Sequence, residues 1–244
     1  MDFKGKTVLI TGASRGLGRT IARDFAKYGA KVIINYNKSY DKALGLKNEI
    51  DKEFEEAIII KTDISNEEEV KAMFDEIKKE GLTLDVVVNN AGISIDNLID
   101  LKSSEEFKTV LNINLLGTFL VSKYAREILN KGSSIINISS DNVIYGYPES
   151  IDYDASKAGI ISLTKNFAKE YAPDVRVNCI LPGWIDTEMN KDLDEKQIED
   201  INEKTLLERF AKPEEISNVV LFLASDKSSY INGTSIVVNG GRND

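Results

Sequence analysis

Residues 7–18 read TVLITGASRGLG. A β-branched and apolar run, 7–11, passes straight into a turn built on Gly12, Gly16 and Gly18, and residues 16–28 then repeat apolar side chains at helical spacing. A strand that enters a helix through glycines leaves the helix's first N–H groups open beside residues without a Cβ, a geometry that accepts a phosphate. This is the context a dinucleotide fingerprint requires: one glycine for the tight turn, one for close approach of the pyrophosphate, one for helix packing. The spacing is Gly-x3-Gly-x-Gly rather than Gly-x-Gly-x-x-Gly, and a glycine-rich turn without a ligand is the competing reading.

The alternation continues along the chain. Strand-like runs at 31–36, 57–61, 85–89, 135–139, 175–180 and 235–238 alternate with helical segments at 40–54, 66–80, 104–130, 152–171 and 213–225. The helix at 66–80 is opened by Ser65 or Asn66, with Glu67, Glu68 and Glu69 in its first turn. Val86-Val87-Val88 reads as a strand buried on both faces. The pattern predicts one α/β domain over 1–244, a doubly wound parallel sheet of about seven strands flanked by helices and joined by right-handed crossovers. Residues 184–210 break the rhythm. They are rich in Asp, Glu and Lys and follow a strand's carboxyl end, where pockets of such sheets lie, so they read either as a substrate lid or as a solvated helical excursion.

The 244 residues are 42% hydrophobic and 29% charged, a globular balance that allows a sizeable core. The net charge of -9 disfavours nucleic acid and anionic membranes as partners. No apolar run reaches the length of a membrane span, and the stretch before the glycine turn is too short for a signal peptide. A single cysteine, Cys179, fits a reducing, cytoplasmic compartment and reads as a buried inert thiol. The chain contains no histidine. That excludes Ser-His-Asp and Cys-His nucleophiles and His-containing zinc sites, so no metal is expected, and acid–base work falls to Tyr, Lys, Asp or Glu.

Residues 139–157, SSDNVIYGYPESIDYDASK, hold the candidate for that work. Tyr153 and Lys157 are four apart, which on a helix stacks them on one face. An ammonium beside a phenol favours the phenolate and is expected to lower the tyrosine pKa toward neutrality. Ser140, which follows the strand at 135–139, is placed to hydrogen-bond the same substrate oxygen. An ordinary pair of surface helix neighbours is the alternative.

In order along the chain, TGASRGLG, Asn89-Asn90-Ala91-Gly92, Asn114, Ser140, Tyr153-x3-Lys157 and Pro182-Gly183 resemble the short-chain dehydrogenase/reductase family, over nearly the whole length and nearest in look to its 3-oxoacyl-acyl-carrier-protein reductase branch. The resemblance implies a Rossmann-type NAD(P)-dependent oxidoreductase, interconverting a carbonyl and a secondary alcohol by hydride transfer, with a place in fatty acid synthesis. It implies a tetrad in which Tyr153 donates or accepts the proton, Lys157 holds the nicotinamide ribose and tunes the tyrosine, Ser140 polarises the carbonyl, and Asn114 holds a relaying water. A mid-helix Asn bonded to the preceding turn is the other reading of Asn114, and Asn112 is its structural neighbour. It further implies cofactor contacts from Gly12, Ser14, Arg15, Gly16, Leu17 and Gly18, from Asp63 and Ile64, from Asn90, Ala91 and Gly92, and from Pro182, Gly183, Ile185 and Thr187. Asp63 reads alternatively as a helix cap, and Trp184 as a pocket wall or a lid anchor. Family members commonly form homotetramers, here through the helical segments 104–130 and 152–171.

An acid at the end of the second strand selects NAD by bonding the ribose 2'-hydroxyl. This chain reads Ile34-Asn35-Tyr36-Asn37-Lys38-Ser39 there, with no acid before Asp41. Arg15, Lys38 and Asn37 suit a 2'-phosphate, so NADP(H) and the direction of reduction are expected; Tyr36 either stacks on adenine or packs. For the substrate, an acyl thioester on an acidic carrier protein needs basic residues near the pocket, for which Lys123, Arg126, Lys131, Lys165 and Lys169 are the candidates. Asp141, Tyr145, Tyr147, Glu149 and Asp152 make the stretch between Ser140 and Tyr153 polar, which brings in a sugar, polyol or small ketone as the rival substrate class. A non-catalytic nucleotide-binding regulator is the rival of a different kind, and the intact tetrad argues against it.

Overall fold

The strands are β1 (Thr7–Ile10), β2 (Lys31–Tyr36), β3 (Ile58–Lys61), β4 (Leu84–Asn89), β5 (Leu129–Ile138), β6 (Val175–Pro182) and β7 (Ser235–Val238). They form one sheet in the order β3-β2-β1-β4-β5-β6-β7, with every neighbouring pair parallel, in a computed structural model that describes residues 1–243. The helices are α1 (Gly16–Lys27), α2 (Tyr40–Glu53), α3 (Glu67–Lys79), α4 (Ser104–Leu111), α5 (Gly117–Ala125), the one-turn α6 (Asn142–Tyr145), α7 (Ile151–Tyr171), α8 (Glu195–Glu203) and α9 (Pro213–Ala224). Successive strand residues point to opposite faces, so a sheet covered on both sides needs unbroken apolar runs. Val8, Ile10, Val32, Ile34, Val86 and Val88 pack on one face with Phe25 of α1, Leu46 of α2 and Val220 of α9. Leu9, Ile33, Val87, Ile135 and Val177 pack on the other with Phe74 of α3, Leu120 of α5 and Tyr171 of α7. This is the doubly wound, seven-stranded single domain that the alternation predicts.

Strand order reverses between β1 and β4, which opens a crevice at their carboxyl ends. The glycine turn follows β1, Asn90 to Gly92 follow β4, Ser140 follows β5 and Pro182 closes β6, so the predicted motifs all lie along one edge.

The structure differs from expectation over 104–130. The helix there is interrupted at Asn112–Leu116 by a π-helical turn and ends at Ala125. β5 starts at Leu129, which pairs with Leu84 before a bulge at 130–133 that the positive φ of Gly132 accommodates. Asn66, not Ser65, caps α3, accepting from the N–H groups of Glu68 and Glu69. Residues 184–210 hold a 3-10 turn at Glu188–Asn190 and α8, and bridges Ile185–Ala211 and Thr205–Arg242 fix both ends of the segment. Among the described residues, no helix is long and apolar enough to cross a membrane, and no group of three or more His, Cys, Asp or Glu could hold a metal ion.

Candidate active site

Tyr153 and Lys157 lie in the first two turns of α7, with the Lys157 Nζ 5.3 Å from the Tyr153 ring centroid. Lys157 is buried and donates to the Ile138 carbonyl at 2.8 Å. Ser140 comes in from the end of β5, its hydroxyl accepting from the Asn142 N–H at 3.2 Å and close enough to the Tyr153 phenol to oppose the rise in its pKa. Asn114, fully buried, is not bonded to its preceding turn. Its Oδ1 accepts from the Ile93 N–H and its Nδ2 donates to the Ile93 carbonyl and to Ser156 Oγ, at 2.9, 2.9 and 3.0 Å. Ser156 in turn donates to the Tyr153 carbonyl at 2.6 Å, and a Cβ on Gly92 would lie 3.2 Å from Asn114 Oδ1 and 3.4 Å from Lys157 Nζ. The four residues therefore meet, with Asn114 presented from the π-helical turn. Its neighbour Asn112 is exposed.

The electrostatics depart from the sequence reading. Burial pushes the Tyr153 phenol above its ordinary value of 10.0; the Ser140 hydrogen bond opposes this, and the carboxylates of Asp154, Asp141 and Asp96 add to it. Burial also draws Lys157 down to about 8. The expected lowering of the tyrosine is thus corrected: in the chain alone burial and the neighbouring carboxylates raise the phenol, which is held protonated.

The glycine turn has no room to spare. Gly12 has a φ of +63°, and a Cβ there would meet Ala91 Cα at 2.8 Å; at Gly18 it would meet Asn90 Nδ2 at 2.4 Å and the Gly12 carbonyl at 2.7 Å. Asn90 Nδ2 donates to the Thr11 and Gly12 carbonyls, and Thr11 Oγ1 accepts from the N–H groups of Asn90 and Ala91. Asn35, buried in β2, completes the clamp by accepting from the Gly12 N–H. No side chain caps α1, and its first turn carries no acid. An uncapped helix start behind a Cβ-free cradle fits a pyrophosphate.

Around this cradle, Thr187 lies 3.8 Å from where a Gly16 Cβ would sit, and Ile185 and Leu17 both pack on the same core. Gly183 donates its N–H to the Val238 carbonyl, and Pro182 accepts from the Asp141 N–H. Ser14 is buried and Arg15 exposed. Ile64 is buried against Gly117. Burial would raise the Asp63 carboxyl, but hydrogen bonds from Ser65 and Asn37 and the charge of Lys38 leave it lowered overall. Asp63 folds the turn before α3 while Asn66 supplies the cap. Tyr36 is buried in the core beside Tyr40, so in the free chain it packs. Trp184 contacts both Tyr147, edge-on at 5.9 Å, and Phe210 at 6.0 Å, joining the two borders of the cleft.

Lys102 and Arg242, which carry no sequence signal, meet carboxylates of the polar stretch between Ser140 and Tyr153. Lys102 forms a buried ion pair with Asp152 at 3.0 Å and donates to the Ile95 carbonyl. Asp141 is buried and paired with Arg242 at 3.3 Å. Tyr145 donates to the Arg242 carbonyl, and Asp154 accepts from the Tyr147 N–H. The carboxylates of Asp141 and Asp152 are thus closed by ion pairs inside the protein, whereas Asp154 Oδ1 is buried without a hydrogen-bond partner among the described residues. Lys42, also overlooked, pairs with Glu188 at 2.6 Å and ties α2 to the 184–210 segment. The basic residues proposed for a carrier are partly neutralised: Lys123 by Glu67, Arg126 by Glu170 and Lys131 by Asp174, with Lys165 and Lys169 exposed.

A nucleotide cradle at the switch point of a doubly wound sheet, facing a buried Tyr–Lys pair, defines an NAD(P)-dependent oxidoreductase. A family model described as Enoyl-(Acyl carrier protein) reductase matches residues 12–243, and the chain belongs to the short-chain dehydrogenase/reductase family. It is 41% identical over 239 residues to the 3-oxoacyl-[acyl-carrier-protein] reductase FabG of Staphylococcus aureus, covering 97% of each chain. It is 38% identical over 250 residues to the protein of the same name from Thermotoga maritima, covering 99% of each. Among solved structures, a short-chain dehydrogenase from Burkholderia cenocepacia in complex with NADP superposes with a TM-score of 0.94 at 29% identity, over 100% of both chains. A Brucella melitensis protein titled glucose/ribitol dehydrogenase does so with a TM-score of 0.95 at 30% identity, over 100% of both.

Proposed function

We propose that this oxidoreductase reduces the 3-oxo group of an acyl thioester, carried by an acyl carrier protein, at the expense of NADPH. The observation that carries the reading is the meeting of Ser140, Tyr153 and Lys157 in a buried corner, with a phenol held protonated. The names of relatives near 40% identity supply the substrate class.

The dinucleotide, when bound, supplies the hydride. Gly12 to Gly18 cradle its pyrophosphate, Asn90 to Gly92 and Asp63 with Ile64 border its adenosine half, and Pro182, Gly183, Ile185 and Thr187 its nicotinamide half. Arg15, Lys38 and Asn37 favour a 2'-phosphate, since β2 ends without an acid. Ser140 orients the substrate oxygen and Tyr153, protonated at neutral pH, donates its proton to it. Lys157 neutralises the phenolate that results, and Asn114 holds a water through which the proton is replaced. Residues 184–210 close over the acyl group as a lid. In this reading the protein works in the cytoplasm as a homotetramer.

The test follows nicotinamide absorbance in both directions: its loss with NADPH and NADH in parallel against acetoacetyl thioesters and simple ketones, and its gain with NADP+ and NAD+ against sugars and polyols. Acetoacetyl thioester with NADPH is expected to lead, and Tyr153→Phe to lose about 10²- to 10⁴-fold in kcat with NADPH binding retained. Turnover of ribitol or glucose without turnover of the thioester would replace the substrate assignment by the polyol one. A fully active Tyr153→Phe would overturn the chemistry.

A further inference from the structure

The residues that follow β7 return to the wall behind Ser140. Asn239 Nδ2 donates to Asp141 Oδ2 at 3.1 Å, while Arg242 Nη1 lies 3.3 Å from Asp141 Oδ1 and donates to Asn142 Oδ1 at 2.8 Å. The Tyr145 hydroxyl donates to the Arg242 carbonyl at 2.5 Å, and the guanidinium covers the Tyr145 ring at 4.8 Å from its centroid. The Asp141 and Arg242 side chains are 2% and 5% exposed. A carboxylate so buried is tolerable only with its counter-ion in place, so the guanidinium fixes where Asp141 sits. Asp141 is the residue after Ser140. The same tail is bonded to the end of the 184–210 segment, where Leu206 and Leu207 donate their N–H groups to Gly241 and Gly240 and Thr205 bridges Arg242.

We propose that Arg242 is a positioning residue for the carbonyl reduction: through Asp141 it holds Ser140 against Tyr153, and through the tail it links that geometry to residues 205–207. The inference rests on the proposed reaction for its kinetic consequences, though not for its structural one. The carboxylates that act on the Tyr153 phenol are Asp154 from α7, Asp141 from the turn after β5 and Asp96 from the loop after β4; the Lys157 ammonium lies over its ring, and Asp152, paired with Lys102, accepts from its backbone N–H. Removing Arg242 takes a cation from the Asp141 carboxylate and so favours the protonated form of the phenol. Neutralising Asp141 does the reverse.

Three variants test this. Arg242→Gln is expected to lower kcat about ten- to a hundredfold, as a small displacement of a reacting group does, with NADPH affinity little changed. Its pH profile for alcohol oxidation should move to higher pH, that of Asp141→Asn to lower pH, and Arg242→Lys should restore most of both. If the lone buried charge prevents Arg242→Gln from folding, the Asp141→Asn/Arg242→Gln pair removes that charge and should show the kcat loss alone. Hydrogen exchange should rise in 141–147 and 205–208 in Arg242→Gln and less so in Arg242→Lys. A merely structural role would lower activity in proportion to the folded fraction and leave the profiles in place, and that result overturns the proposal. Should the wild type turn over no substrate, the reaction fails, and unchanged exchange in Arg242→Gln would then refute the positioning role on its own.

Discussion

Lys157→Met should make the protein more stable at neutral pH and less stable in alkali. Lys157 is 3% exposed and binds its proton with a pKa of about 8 in the folded chain, against 10.5 ordinarily. The unfolded chain therefore holds this proton more tightly, and folding below pH 8 carries the cost of burying the charge. That cost shrinks as pH rises from about 8 to about 10.5, because the folded lysine is then neutral and the unfolded one is on its way to being so. The gap between the two values corresponds to about 3 kcal/mol. Methionine removes the charge at similar length but forfeits the 2.8 Å bond to the Ile138 carbonyl, and leaving a buried carbonyl unpaired costs about 1–2 kcal/mol. The balance is a gain of about 1–2 kcal/mol near pH 7 that turns into a loss of similar size above about pH 10.5. The neighbouring Cys179, raised from 9.0 to about 11 by burial, changes stability from about pH 9 upward in both proteins and so cancels to first order from their difference. Urea unfolding followed by Trp184 fluorescence, at fixed protomer concentration and a series of pH values, reads the difference directly. A Lys157→Met protein less stable than the wild type at pH 7, or a difference that does not vary with pH, would refute the reasoning.

Gly18→Ala places a Cβ against Asn90 Nδ2 and the Gly12 carbonyl, so Asn90 must give up its bonds to the turn. A loss of about 1–3 kcal/mol is expected, together with weaker NADPH binding by fluorescence titration; unchanged melting and affinity would show the turn to be looser than described. Lys102→Met strands the fully buried Asp152 carboxylate beside Tyr153 and should cost about 3–5 kcal/mol. Adding Asp152→Asn should recover most of that loss in a melting experiment, and no recovery would place the cost elsewhere.

The glycine turn, the strands and the sheet were legible because each is a local pattern: a short unbroken apolar run, a 3.6-residue repeat, a residue lacking Cβ. The same holds for Tyr153 and Lys157, whose meeting needs only a helix. Residues 104–130 looked like one helix since nothing in the sequence marks the π-helical turn, from which Asn114 reaches the Ile93 backbone on a separate loop. Lys102 and Arg242 were invisible for a related reason. Their carboxylate partners are 50 and 101 residues away, and a charge in a sequence does not say which opposite charge it will meet. The direction of the Tyr153 shift was missed because burial is a tertiary property, whereas the Tyr–Lys spacing reports only a neighbour.

Those two ion pairs also explain why the composition of 139–157 misleads. Asp141 and Asp152 adjoin Ser140 and Tyr153 and would, if open to the cleft, furnish a polar binding surface. Each is instead closed by a cation from a distant segment, Asp141 by the strand-following tail and Asp152 by the loop after β4. A buried ion pair adds little net stability over a well-packed apolar contact, so stability gives a weak reason for two of them here. What they do provide is placement: breaking either leaves a lone buried charge, so the tail and the loop have no comfortable alternative position. The proton donor and the hydroxyl beside it are thereby held from both sides by segments that take no part in the helix or strand carrying them.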